Sequence, residues 1–456
     1  MRHALLLAVL LLWGCGPASV GAAAPGGSPP PLPTEPIFYV DASTGRDSND
    51  GRFPATAFKT LNRAATAVKP GWTVRVMTGT YSAEDGSDPL TVTTSGTPDA
   101  WIRFTAAEGQ HPVIQITRKS WNGIHVLGAS YLSIEGFEVV GLNASITAAD
   151  AAVNNGTQSW LNHNCIFVDG AGYGNIHPAV PHDIAIRDNV VHHCAAAGIE
   201  VNVGDAITIE RNRVYDNAWW TKFGTSGIGL YHLTDVPGSG TSNGYKNVIA
   251  RNESYGNRNY LPYGVGDIIY DGNGIIIDDS MHKQPALGPH DVQGVPYAGR
   301  TYIANNLVHD NGGRAIHANL SEHVDIVNNT AWNDLLTDSK FIDSGEMGTY
   351  GGADIQLVNN IAQNLVGKEV TIDDDKHTAS NHFESNLWDG VMARLHGDTD
   401  LLAAARLVDP AKGNFAPGPG SPALGSGTQV RAPLDDYFGN PRKAGAIDRG
   451  AVQVTR

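Results

Sequence analysis

Alternating apolar and polar positions, each run closed by asparagine, dominate this chain. Ile184-Ala-Ile-Arg-Asp-Asn189, Ile207-Thr-Ile-Glu-Arg-Asn212, Asn247-Val-Ile-Ala-Arg-Asn252, Tyr302-Ile-Ala-Asn-Asn306, Val324-Asp-Ile-Val-Asn-Asn329 and Ile355-Gln-Leu-Val-Asn-Asn360 share the form. A period of two predicts strands with one buried face. Asn189 and Asn212 lie 23 residues apart, as do Asn306 and Asn329, while the intervals of 40 and 54 to Asn252 and Asn306 hold inserted loops. Short strands repeating every twenty-odd residues, with Asn at a turn, predict an all-β, single-stranded parallel β-helix. Asn accepts left-handed turns, and its amide can bond to the Asn of the next coil. The asparagines therefore read as structural.

The ends differ from the repeat. Residues 58–68 carry Leu61, Ala64, Ala65 and Val68 at helical spacing before Pro70-Gly71, which predicts a short helix capping the first coil. Residues 1–24 read as an export signal: Arg2 and His3 precede an apolar run too short to span a bilayer. Cleavage could follow Ala22-Ala-Ala24, or occur at Leu12-Trp-Gly-Cys15 and leave a lipid anchor on Cys15. Residues 25–36 form a Pro/Gly linker, and residues 37–456 a single domain, expected to be a monomer. Localisation outside the cytoplasm follows, secreted or anchored to an envelope.

With 53 Gly, 17% charged and 8% aromatic residues, the composition suits a turn-rich β protein. A net charge of −15 argues against nucleic acid as a partner. An acidic polysaccharide remains compatible if a local basic cluster or a bound cation inverts the field. Cys165 and Cys194 are either a disulfide or two buried thiols.

Candidate chemistry gathers at Asp271-Gly-Asn-Gly-Ile-Ile-Ile-Asp-Asp279, a strand ending in paired carboxylates. Aligned on their opening glycines, the strands predict an outward column of Asp169, Asn202, Tyr231, Asp278 and His317. A second column reads Val203, His232, Asp279 and Ala318. Coils stack about 4.8 Å apart, so Asp278, Asp279, His232 and His317 would serve one centre, with Asp169 out of reach. Long segments at 218–223, 233–246, 259–273 and 280–299 would wall a groove there. They bring Trp219, Trp220, Phe223, Tyr260, Tyr263 and Tyr270, flat surfaces suited to sugar rings. Glu346 would extend the groove, and Asp373 to Asp375 with Lys376 read as a solvated turn.

Tyr39-Val-Asp-Ala-Ser43, Asn49-Asp-Gly51, Phe58-Lys-Thr-Leu61, Val68-Lys-Pro-Gly71 and Gly79-Thr-Tyr81 resemble the N-terminal cap of family 9 pectate lyases. Asp409-Pro410, Pro419-Gly-Ser-Pro-Ala423 and Gly445-Ala-Ile-Asp-Arg-Gly-Ala451 resemble the terminal segment of many bacterial members of the pectin-lyase-like superfamily. The resemblance implies a right-handed β-helix that degrades an extracellular polysaccharide. Two mechanisms follow from it. In β-elimination on a uronic-acid glycan, Asp278, Asp279, Asp271 and Asp267 would hold Ca²⁺, with Arg314, Lys283 or His317 as base. In inverting hydrolysis, Asp278, Asp279 and His317 resemble the polygalacturonase cluster, although Tyr231-His232 stands where that family has an Asp. A third class, glycan binding without catalysis, would need no such cluster.

Overall fold

The computed structural model describes residues 36–455, apart from 173–175, 177, 241, 264–267, 338–344, 373–379 and 392–395. The export signal, the linker, Asp267 and residues 373–376 therefore lie outside the described residues. The chain winds through three parallel sheets of 11, 9 and 11 strands, the central coils each adding one strand to each sheet.

The nine-stranded sheet carries the site. In chain order its strands are β1 (Leu90–Val92), β2 (Asn122–Leu127), β3 (Asn164–Asp169), β4 (Ile199–Asn202), β5 (Ile228–Tyr231), β6 (Ile275–Asp278), β7 (Ile316–Asn319), β8 (Gly345–Tyr350) and β9 (Glu369–Ile372). Their inward residues stack in register. Ile166, Ile199, Ile228, Ile275 and Ile316 form one fully buried column, and Val168, Val201, Leu230, Ile277 and Ala318 the next. Each buried aliphatic side chain stabilises the fold by about 1.5–3 kcal/mol, so continuous columns hold the coils together.

Two asparagine ladders replace apolar packing at the corners. Asn189 donates to Asn212, and the chain of side-chain amides continues through Asn252, Asn306, Asn329, Asn360 and Asn386 to Asp400. A second ladder runs Asn217, Asn257, Asn311, Asp334. Each ladder amide also donates to a backbone carbonyl, so the buried amide groups at these corners are paired.

The capping helix α1 (Leu61–Ala65) is shorter than the pattern predicts. Thr60 caps it, accepting from the Arg63 amide at 3.2 Å, and Phe58 is drawn off to bridge Val40. Leu61, Ala64 and Ala65 cover the first coil. Cys165 and Cys194 are joined as a disulfide with Cα atoms 5.6 Å apart, resolving the two alternatives.

Candidate active site

Along the outer face of β2–β6 runs a groove of about 1070 Å³. Backbone register builds its floor from two lines of outward side chains. The first is Asp169, Asn202, Tyr231, Asp278, as the glycine alignment predicts, continuing to Asn319. The second, two residues earlier on each strand, is Phe167, Glu200, Gly229, Ile276, His317. Glycine at 229 leaves the space that the Glu200 carboxyl occupies; a Cβ there would displace that carboxyl. Glu200 thus leans across the rung of β5 toward Asp278.

Three carboxyls face one another at this end. Burial raises Glu200 to a pKa of about 8, and the charges of Asp278 and Asp271 push the same way. Burial also lifts Asp278 to about 7, with repulsion from Asp271 adding and the Asn319 amide, 2.7 Å away, opposing. Asp271 is buried and raised as well, although it accepts from the Tyr263 hydroxyl at 2.6 Å and from Asn273 at 3.0 Å. At the far end His125 sits 3.4 Å from Asp88 and 3.5 Å from Asp169. Burial works against its charge, yet the two carboxylates outweigh it and hold its pKa at about 9. No Lys or Arg lines the groove among the described residues.

Several expected site residues stand elsewhere. His317 pairs with Ile276, not Asp278, because Ala315 occupies the position that Gly274 holds one coil earlier. A slip of two residues keeps a side chain on its face but moves it along the groove. His317 is buried, bonded to the Gly348 backbone, and kept neutral by burial and by the Arg314 charge. Asp279 and His232 are corner residues in left-handed geometry, like Val203 before them and Leu320 after, so they turn away from Asp278. Leu320, not Ala318, continues that column. Asp279 is fully buried, accepting from the amides of Lys283 at 2.7 Å and Gln284 at 2.6 Å, and His232 lies behind it. Both are absent from the groove lining.

Lys283 is exposed and also outside the lining. Arg314 is buried beside Asp271, with burial lowering its pKa to about 10. Glu346 is buried and committed to the Asp334 amide and the Asn364 side chain, so it does not extend the groove. Trp219 and Trp220 pack with Tyr260 over Ile146, Ala151 and Leu161, forming the core of the wall and not its groove-facing surface. Tyr270 is exposed and edge-on to Tyr263. The groove's aromatic surfaces are Trp121, Phe167, Phe223, Tyr231 and Tyr263. Loops 218–223, 259–273 and 280–299 contribute to the walls; 233–246 does not, and residues 86–88 supply a wall the pattern does not suggest.

Of the four expected calcium ligands, only Asp278 and Asp271 face the groove. Asp279 points away, and Asp267 is outside the described residues. Two carboxylates fall short of the 6–8 oxygens calcium takes, so these residues alone make no calcium cage. Glu200 and His125 are the floor residues that the pattern does not reveal. The readable signal for Glu200 is an outward acid mid-strand with glycine at the same position on the following coil.

No family model and no curated protein sequence matches this chain. Solved structures do. Pectate lyase Pel9A superposes with a TM-score of 0.52 at 17% identity, over 93% of this chain and 98% of that one. The protein has a right-handed parallel β-helix fold. A rhamnogalacturonan lyase follows at a TM-score of 0.48 and 16% identity, over 82% of this chain and 90% of that one. A lacto-N-biosidase from Eubacterium ramulus follows at 0.41 and 13%, over 77% and 56%. At these identities the likeness is one of fold.

Proposed function

We propose that this β-helix cleaves a glycan in the groove over β2–β6, with Glu200 and Asp278 as the reacting carboxyl pair. The observation that carries this reading is one groove floor holding two carboxyls at pKa about 8 and about 7. At neutral pH such a pair keeps one proton to give and one carboxylate to take one. Neighbouring rungs are ~4.8 Å apart and alternate strand residues ~6.6 Å apart. On these ideal spacings a carboxyl leaning from β4 onto the Gly229 rung would lie roughly 8 Å from one at the Asp278 position, a separation that suits inverting hydrolysis, for which ~6.5–9.5 Å is usual.

Glu200, the weaker acid, gives its proton to the glycosidic oxygen as the C–O bond breaks. Asp278 takes a proton from the water that attacks the opposite face of the anomeric carbon. Trp121, Phe223 and Tyr231 supply apolar faces for the sugar rings. Export on the 1–24 signal, with or without a lipid on Cys15, would place the enzyme beside an extracellular polysaccharide, and the Cys165–Cys194 disulfide suits such a compartment.

A second reading is β-elimination of a uronic-acid polymer, the chemistry in the names of Pel9A and the rhamnogalacturonan lyase. What favours it is the crowding of Glu200, Asp271 and Asp278, whose repulsion a hard cation such as Ca²⁺ would relieve.

A panel of neutral and acidic polysaccharides, followed for reducing ends and for ultraviolet absorbance together, tests both. New reducing ends without absorbance, lost in Glu200→Gln, are expected. An absorbance rise abolished by chelator would replace hydrolysis with elimination, and product formation unaffected by Glu200→Gln would remove the site.

A further inference from the structure

We infer that His232, His282 and Asp291 form a divalent-metal site of the zinc class that pins the 280–299 loop to the coil beneath it. One ligand atom from each lies within 4.8 Å of the others, and all three residues are buried. No other group of three or more such side chains converges in this way among the described residues.

The orientation of the rings points to a metal. His282 Nε2 donates to the Leu233 carbonyl at 2.8 Å, which leaves Nδ1, 3.5 Å from Asp291 Oδ1, as the ligand atom. His232 presents Nδ1 to Asp291 Oδ2 at 2.6 Å, while its Nε2 lies 3.0 Å from the Asp279 carboxylate. His282 thus has its far nitrogen bonded to a carbonyl and its near nitrogen toward Asp291, as metal-ligating histidines do, and His232 turns its near nitrogen to Asp291 with its far nitrogen close to the Asp279 carboxylate but outside hydrogen-bonding geometry. The Val292 carbonyl, 3.3 Å from His282 Nδ1, offers a further oxygen.

Asp291 Oδ1 is buried with no hydrogen-bond donor among the described residues. An unmet buried carboxylate oxygen is costly, and a cation would satisfy it. Two imidazole nitrogens and a carboxylate suit zinc and its neighbours; calcium takes oxygen shells.

Location gives the site a purpose. His232 follows β5, whereas His282 and Asp291 belong to the loop after β6, so one ion would staple two coils. The same loop carries Gln284, which lines the groove and accepts from the Tyr231 hydroxyl at 3.3 Å. The ion would set a groove wall without touching substrate.

The test uses tag-free full-length protein, stripped with chelator and titrated with Zn²⁺ by calorimetry and with Co²⁺ by visible absorption. One Zn²⁺ per chain, a higher melting temperature and a Co²⁺ ligand-field band are expected. His282→Gln and Asp291→Asn should each weaken binding ~10–100-fold, and Asp188→Asn on the exposed surface should not. Circular dichroism verifies folding, and either ligand variant suffices if the other fails to fold. Wild type that binds no more Zn²⁺ than the folded variants would overturn the site, leaving a proton-held ion cluster. An equal thermal shift with Ca²⁺ would overturn the metal class. Metal stoichiometry is read without any activity, so a failed function assay leaves this result intact.

Discussion

Because residue 229 is glycine, the Glu200 carboxyl lies across the β5 rung, facing Asp278 and Asp271 in a partly desolvated floor. Ionising it there adds a third negative charge to the cluster, which together with burial lifts its pKa from 4.5 to about 8. If Glu200 is the proton donor and Asp278 the base, kcat/KM should be bell-shaped, with limbs near pH 7 and pH 8 set by the pair. Glu200→Gln should lower kcat about 10²–10⁴-fold while leaving the fold intact. Its stability signature has a definite sign. A pKa raised on folding contributes stability below the unfolded value, and that contribution is lost as pH rises through the folded one. Wild type and Glu200→Gln should therefore melt together near pH 4, and Glu200→Gln should melt higher above pH 8, as thermal scans across pH would show. The sequence conceals this carboxyl because one acid in an alternating strand looks like any solvated outward residue. Only the pairing of β4 with β5 shows that glycine leaves room for it.

Strands and corners were legible to different degrees, for physical reasons. Asn306 accepts from the Asn252 amide and backbone, and donates to the Ile249 carbonyl and to Asn329. So many mutual bonds require one residue type at one corner on every coil, which writes the repeat into the sequence. Replacing Asn306 with Ala should strand several buried partners and destabilise the fold by about 2–4 kcal/mol in chemical denaturation. Register failed at β7, where no glycine opens the strand and His317 was placed two residues along from its true neighbour. The Asp278-Asp279 pair misled for another reason. A left-handed φ of 47° at Asp279 reverses the chain, and alternation says nothing about residues beyond a strand's end. The Cys165–Cys194 bridge spans 29 residues between two elements of the core. Changing both cysteines to Ala should cost about 3–4 kcal/mol on the chain-entropy account, read as a lower denaturation midpoint in the variant than in wild type under non-reducing conditions.

At the scale of the molecule, architecture and chemistry separate. Stacked aliphatic columns and amide ladders are demanded by any β-helix of this kind, so they identify the fold and not the substrate. The substrate is constrained by charge. The protein carries −15 overall, and its groove is lined by Asp88, Asp271, Asp278 and a protonated Glu200 against one imidazolium among the described residues, His125, itself held between two carboxylates. No lining Lys or Arg answers a polyanion among the described residues. A neutral glycan meets no repulsion in such a groove, whereas a polyuronate meets it on approach and again at the floor. Repulsion of this kind is screened over a Debye length of about 10 Å at 0.1 M salt, comparable to the groove itself. Raising ionic strength from low salt should therefore reduce KM for any acidic polymer the enzyme accepts and leave KM for a neutral one nearly unchanged. Initial rates on matched neutral and acidic chains across a salt series would show it. A KM for the acidic chain that rises with salt would mean instead that the substrate meets positive charge in the groove, favouring elimination on a uronate over hydrolysis of a neutral sugar.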